Sequence, residues 1–175
     1  MRLKWLKRVD DICMKLDKFD VLTIKQLRRI NAGDLGNTGD RNILRVMERL
    51  IEEGYVEKKR YGFNLYALRG RGFGNWEHKF MRNEYLIWKG VWNKARVEVP
   101  IIWKGREYLR ADAHWVENGR DKFLEVDRRQ KKKVNLEKIR KYKEIGAQFE
   151  VLTYRSRGKM WQGCVVVYIE DIVDI

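Results

Sequence analysis

The amino-acid sequence predicts an α+β protein of two domains, in which helices come first and strands dominate later. Through the first fifty residues, apolar side chains recur every three or four positions, which is typical of helices that bury one face. After Gly54 the pattern changes to short alternating runs, as in strands. Further along, Asn118-Gly119 separates two strand-like runs, which is the strongest short-range signal for a β-hairpin.

The first domain, predicted over residues 1–70, contains three helices and a β-hairpin. Thr23 is the expected N-cap of the second helix, and a turn-rich loop at 31–37 leads to a third helix that ends at Gly54. The run "YVEKKRYGFNLYAL" then predicts two antiparallel strands. Three helices followed by a hairpin predict a winged helix-turn-helix. The apolar stripe of the first helix consists of Leu6, Val9, Ile12, Leu16 and Phe19.

A winged helix-turn-helix places its third helix in the major groove of DNA and its hairpin, the wing, along the phosphates. The third helix carries side chains that can bond base edges away from its buried stripe; they are Arg41, Asn42, Arg45 and Arg49. The wing carries three consecutive cations that suit phosphate contacts; they are Lys58, Lys59 and Arg60. The alternative is a winged helix that serves only protein contact or dimerisation.

The charge of the chain also favours DNA. The 39 Lys and Arg exceed the 25 Asp and Glu, which gives a net charge of +14. Both predicted domains are basic, with 16 cations against 10 acids in the first and 23 against 15 in the second. Without a long apolar run, a secretory signal or paired cysteines, we expect a cytoplasmic protein with no membrane partner and no zinc site.

The segment "RGRGFGN" (69–75) is the predicted linker, and the second domain is predicted over residues 71–175. If Asn118-Gly119 forms a two-residue turn, Asp112 faces Glu125 across the hairpin. Two facing acids repel unless a cation lies between them, so this register predicts a Mg²⁺ or Mn²⁺ site. Alternatively, both acids point to solvent among basic neighbours, and a longer loop would offset them.

The same register sets Asp127 opposite Arg110, for which a salt bridge is the simplest interpretation. A basic block follows, and then a helix predicted to bury Leu136, Ile139, Tyr142 or the stem of Lys143, and Ile145. These cations could follow a phosphate backbone beside the acids, although most charge runs are only a solvated face. The candidates for DNA contact are Arg128, Arg129, Lys131, Lys132, Lys138 and Lys141.

The order of "LRADA", "FLEVDR" and a Lys-rich helix containing "KIRKY" resembles the core of PD-(D/E)XK nucleases. Together with the winged helix, it is similar to plasmid and phage replication-relaxation proteins. The resemblance implies an α/β restriction-endonuclease-like domain with a mixed central sheet flanked by helices. It places the catalytic acids at Asp112 and Glu125, with Glu84 or Glu98 as a further acid.

The chain departs from that pattern at Asp127, which stands where active nucleases usually carry a lysine. Asp127 is therefore a candidate catalytic residue, and Lys131 or Lys138 of the next helix is a candidate replacement. The sequence favours a DNA-binding protein with a nuclease-fold C-terminal domain, acting on plasmid or phage DNA in replication, relaxation or its control. Two alternatives stay open: a Mg²⁺- or Mn²⁺-dependent endonuclease or nickase, and a transcription regulator whose second domain only dimerises as a homodimer.

Overall fold

The computed structural model describes residues 2–31, 40–129, 131–161 and 163–172 of an α+β protein. It divides into two compact units, residues 1–83 and 84–175. The division falls inside a helix, beyond the linker predicted at 69–75. The buried side chains of Arg82 and Asn83 both donate hydrogen bonds to the carbonyl oxygen of Phe19, at 3.1 Å, so the start of this helix belongs with the first unit.

The first unit contains three helices, a two-stranded antiparallel sheet and the beginning of a fourth helix. The helices pack on one core that includes Leu16, Phe19, Leu27, Met47 and Leu50. Residues 32–37 of the predicted interhelical loop lie outside the described part of the chain. The elements are α1 (Arg2–Phe19), α2 (Ile24–Asn31), α3 (Asp40–Glu52), β1 (Val56–Arg60), β2 (Asn64–Leu68) and α4 (Trp76–Trp88).

The start of α2 has the predicted cap. The backbone N–H of Gln26 donates to Oγ1 of Thr23 at 3.0 Å, and the backbone N–H of Thr23 donates to Oε1 of Gln26 at 2.9 Å. This reciprocal pair is a capping box, which satisfies two backbone donors that a helix start would otherwise leave without partners. The prediction that Thr23 caps α2 is confirmed.

The strands β1 and β2 form the predicted hairpin, with Arg60 paired to Asn64 at the turn. Gly62 lies in that turn at φ +77°, a backbone conformation that residues other than glycine rarely adopt. Leu22, just before α2, forms an isolated antiparallel bridge with Tyr66 of β2. The hairpin is therefore attached, at the middle of β2, to the segment that precedes α2.

The second unit contains a five-stranded mixed sheet in the order β3-β4-β5-β6-β7. The first three strands are antiparallel, and β5, β6 and β7 are parallel. A helix connects β5 to β6, and a 3₁₀ helix connects β6 to β7. The elements are β3 (Arg96–Trp103), β4 (Arg106–Glu117), β5 (Arg120–Asp127), α5 (Lys132–Glu144), β6 (Gln148–Thr153), the 3₁₀ helix (Arg155–Trp161) and β7 (Val165–Tyr168).

The turn between β4 and β5 is the predicted one. Asn118 and Gly119 have φ of +52° and +72°, as a two-residue hairpin turn requires. The register runs from Glu117 opposite Arg120 to Ala113 opposite Leu124, as predicted. None of the described helices has both the length and the apolar composition needed to cross a membrane.

Candidate functional site

The third helix presents a row of arginines. Arg41, Arg45 and Arg49 are spaced four residues apart and are exposed, whereas Ile43 and Met47 between them are buried. Residues four apart lie on the same side of a helix, so the three guanidinium groups follow one face of α3. Arg49 also forms an ion pair with Glu53, between Nε and Oε1 at 2.7 Å.

Asn42, the fourth residue predicted to read DNA, lies differently. It is only half-exposed and lines a small cleft with Arg8, Asp11 and Ile12 of α1. Its position is set by the helical period, since the residue after Arg41 is turned by about 100° toward α1.

The first unit exposes further cations on its hairpin and on α2. Lys58, Lys59 and Arg60 of β1, the cations for which the sequence predicted phosphate contact, are all exposed. The helix α2 also exposes three cations that were not predicted to contact DNA. They are Lys25, Arg28 and Arg29.

In the second unit, Glu125 is buried in the middle of β5, with 1% of its surface exposed. Oε1 accepts a hydrogen bond from the hydroxyl of Tyr142 at 2.7 Å, and Oε2 forms an ion pair with Nζ of Lys138. Burial, together with the charge of Asp112, raises the pKa of Glu125 to about 7, although Lys138 and Tyr142 oppose the shift. Burial also raises the pKa of Tyr142, which keeps its hydroxyl a donor.

The helix α5 supplies these partners because residues one helical turn apart in α5 reach alternate residues of β5. Lys138 and Tyr142 are one helical turn apart, so they can reach the same carboxylate. Alternate residues of a strand share a face, and Asp127 of β5 is likewise bonded by Asn135, one turn earlier in α5. The charges of Glu125 and Asp112 outweigh burial and raise the pKa of Lys138. Lys138 therefore stays cationic at this site.

The predicted cross-strand pairing of Asp112 with Glu125 is not formed. The ladder between β4 and β5 ends at the pair Ala113 and Leu124. Beyond it, Oδ2 of Asp112 accepts a hydrogen bond from the backbone N–H of Val126 at 2.6 Å. A side-chain oxygen thus replaces the backbone acceptor at this point of the strand. The two carboxylates still interact, because the charge of Asp112 raises the pKa of Glu125.

Asp127 is fully buried and its partners differ from those predicted. It accepts hydrogen bonds from Nε1 of Trp161 at 2.7 Å and Nδ2 of Asn135 at 3.1 Å, and it pairs with Arg157 at 3.3 Å. The predicted salt bridge to Arg110 is wrong. Arg110 is paired with Pro100 of β3, the strand that flanks β4 on the edge away from β5. Its guanidinium donates to the carboxylate of Glu107 at 2.8 Å and to the carbonyl oxygen of Glu98 at 3.1 Å.

These partners of Asp127 are not apparent from the sequence. In α5 it predicted burial of Leu136, which is 53% exposed, whereas Asn135 is fully buried. Asn135 is buried because its side-chain amide donates a hydrogen bond to the buried carboxylate of Asp127. Nothing in the spacing of "VNLEKIRKYKEI" marks this asparagine as a core residue.

The remaining predicted acids are Glu84 and Glu98. Glu84 is buried in α4, where its neighbour Tyr85 contacts Trp115 and the carboxylate of Glu150. A carboxylate oxygen of Glu98 lies within 4.8 Å of one of Asp112. Carboxylate oxygens are the ligands that Mg²⁺ and Mn²⁺ prefer, and Asp112 and Glu98 bring two such oxygens together.

The predicted basic surface of the second unit is only partly available. Arg129, Lys131 and Lys132 are exposed and Arg128 is half-buried. Lys141 is engaged by α5 and β4: its Nζ donates to the carbonyl oxygen of Tyr108 at 3.0 Å and pairs with Glu137 at 3.2 Å.

Comparisons with known proteins add little to this geometry. No family model matches the chain, and no curated protein matches it. The chain is similar to the crystal structure of protein VC1899 from Vibrio cholerae, with 11% sequence identity and a TM-score of 0.42. The alignment covers 97% of this chain and 50% of that protein, so this chain spans half its length. Function has to be argued from the chain's own residues.

Proposed function

We propose that the protein binds duplex DNA through its first unit, which acts as a winged helix-turn-helix. The observation that carries the proposal is the exposed row of Arg41, Arg45 and Arg49 on α3, the helix that such a unit places in the major groove. Arginine can bond the O6 and N7 atoms of guanine with two hydrogen bonds. Arg41 and Arg45 are the better placed, because Arg49 already pairs with Glu53.

The wing supports the same proposal through charge. Lys58, Lys59 and Arg60 stand together on an exposed strand next to the helices, where phosphate contacts would orient the unit on the duplex. The exposed cations of α2 add to this surface. A net charge of +14 supplies the long-range attraction that brings the protein to a polyanion.

For the second unit we propose a nuclease-like fold, with the whole protein acting on plasmid or phage DNA in replication, relaxation or its control. The support is the run of three antiparallel strands, a helix and a parallel strand, with Asp112 and Glu125 on neighbouring strands. Function as a transcription regulator with a purely dimerising second unit is less favoured, because it gives no use to buried acids.

Replacing Arg41 and Arg45 together with alanine should weaken binding to duplex DNA by at least about tenfold, because each base contact is worth about 1–3 kcal/mol. Gel-shift or fluorescence anisotropy titrations measure the dissociation constant. The matched control is Lys94→Ala with Arg106→Ala, which removes the same charge from two exposed positions of the second unit.

The salt dependence gives a second measure of the same binding. For the wild type, log K should fall with log salt with a slope of about −0.9 for each phosphate neutralised. The control pair should leave both affinity and slope nearly unchanged. A folded Arg41/Arg45 variant that binds duplex DNA as tightly as the wild type would rule out this use of α3.

A second candidate function is a metal-dependent DNA endonuclease or nickase. It is favoured by one observation: Lys138 of α5 brings an ammonium group onto Glu125, although the usual lysine position holds Asp127. Asp112 and Glu125, with Glu98, would hold Mg²⁺ or Mn²⁺, which polarises a phosphate and lowers the pKa of bound water. Lys138 would then offset negative charge near the acids.

Mg²⁺ or Mn²⁺ should raise the melting temperature if the acids bind the ion, since a ligand that binds only the folded state stabilises it. Glu125→Gln should abolish this rise, and any nicking of supercoiled plasmid with it, while duplex binding persists. Glu137→Gln, an exposed carboxylate of α5, is the control. An equal metal-induced rise in Glu125→Gln would remove Glu125 from the proposed ion site.

A further inference from the structure

The turn of the wing carries a cluster of aromatic rings that the proposed contacts of α3 do not use. The rings of Tyr61 and Trp76 stack with their centroids 4.5 Å apart. Phe63 contacts Trp76 edge-on at 5.9 Å and Phe80 at 5.1 Å. Phe73 lies 6.4 Å from Tyr61. All five residues belong to the first unit.

Within this cluster, Phe63 is the most accessible ring, with 40% of its surface exposed, and the other four are half-buried. Gly62 beside it takes a positive φ, which makes the turn tight and sets Phe63 at its end. The half-buried rings pack on Val21, Leu65 and Ala67 of the core. Phe63 is therefore an exposed ring held in place by a rigid support.

Cations lie on the strand that leads into this turn, and one of them contacts two other rings of the cluster. Lys59 places its Nζ 5.5 Å from the ring centre of Tyr61 and 6.0 Å from that of Phe73. Lys58 and Arg60 are exposed on the same strand. A protein partner would call for a wider apolar face, whereas an exposed ring at the end of a basic strand suits a nucleic acid, whose bases stack on aromatic rings while cations hold the phosphate backbone.

We propose that Phe63 stacks on an unpaired base, so that the first unit recognises DNA at a junction between duplex and single strand. This rests on the proposed duplex binding by α3, and it adds a preference for the form of the DNA. The duplex would lie on the arginine row, the wing cations would contact phosphates, and the first unpaired base would stack on Phe63.

The test compares a blunt duplex with the same duplex carrying a single-stranded overhang whose first unpaired base is 2-aminopurine. The wild-type chain should bind the overhang DNA at least about fivefold more tightly. It should also quench the 2-aminopurine fluorescence, since face-to-face contact with an aromatic ring opens a non-radiative path for the excited base. Phe63→Ala should lose the preference and the quenching while binding the blunt duplex as before.

Two variants separate stacking from a loss of wing structure. Phe63→Trp keeps an aromatic face and should keep both the preference and the quenching. Phe63→Leu keeps apolar bulk without that face and should lose them. Tyr55→Ala is the matched control, because Tyr55 is 61% exposed and lies at the opposite end of the hairpin from the turn.

The outcomes distinguish this inference from the function on which it rests. If the wild type binds the blunt duplex but shows no preference for the overhang, stacking by Phe63 is refuted and duplex binding stands. If Phe63→Ala weakens both DNAs equally, Phe63 supports the wing and does not read an unpaired base. If neither DNA binds, the proposed function itself fails.

Discussion

Replacing Lys138 with methionine should lower the free energy of unfolding by about 3–5 kcal/mol at pH 8, because it leaves a buried charge without its partner. Glu125 is 1% exposed, and after the substitution its Oε2 would lose the ammonium group of Lys138, while Oε1 would keep the hydrogen bond from the hydroxyl of Tyr142. The charge of Asp112, which already opposes ionisation of Glu125, would no longer be offset. Urea denaturation at fixed pH measures the loss.

The cost should depend on pH in a defined direction. Glu125 has a pKa of about 7 in the fold, above the 4.5 that is usual for a glutamate in water, so the folded state holds this proton more tightly. Stability from this group is present at low pH and declines as pH rises from about 4.5 to 7. Without Lys138 the pKa of Glu125 rises further, so Lys138→Met should cost less at pH 5 than at pH 8.

Two controls complete this experiment. Lys133→Met removes an exposed lysine from the same helix and should change stability by less than about 0.5 kcal/mol. Adding Glu125→Gln to Lys138→Met should restore part of the loss at pH 8, because the uncompensated charge is gone. A cost for Lys138→Met that is identical at pH 5 and pH 8 would show that the ion pair is not its cause.

Replacing Asp127 with alanine should be comparably destabilising, by about 3–5 kcal/mol, because three donors lose their acceptor. Those donors are Nε1 of Trp161, Nδ2 of Asn135 and the guanidinium of Arg157. Buried donors without partners cost about 1–3 kcal/mol each, and the contributions partly overlap. Thermal or urea unfolding gives the free energy.

The same strand offers a matched control. Asp121 of β5 is 67% exposed and pairs with His114 at 2.7 Å, so Asp121→Ala should cost less than about 1 kcal/mol. A variant of Asp127 that is as stable as this control would mean that Trp161, Asn135 and Arg157 find other acceptors. Because Asp127 links β5 to α5 and the 3₁₀ helix, we expect its loss to loosen that end of the sheet.

Local features of the fold could be predicted because short stretches determine them. The capping of α2 depends on Thr23 and Gln26, three positions apart, and on the backbone between them. The hairpin register from Glu117 to Ala113 follows from a two-residue turn that Asn118 and Gly119 favour. The exposure of Arg41 and Arg45 follows from the helical period, since Ile43 and Met47 must face the core.

The partners of the buried acids could not be predicted, because they come from distant parts of the chain. The register that works near the turn ends at Ala113 and Leu124, where Asp112 bonds the backbone of Val126. The domain boundary likewise depends on where Arg82 and Asn83 pack, although a glycine-rich segment precedes them in the sequence. Glycine content marks a flexible stretch, whereas contacts decide which unit a helix joins.

The sequence by itself determined the α+β class, the helix and hairpin positions, and the basic surface of α3 and the wing, because these depend on neighbouring residues and on charge. Only the tertiary structure decided that Glu125 faces Lys138 and Tyr142, and that Asp127 faces Trp161. A buried carboxylate must find donors wherever the chain brings them, since leaving it unpaired costs several kcal/mol. The donors that bond Glu125 and Asp127 therefore depend on which helix covers β5, and this depends on packing across the whole second unit.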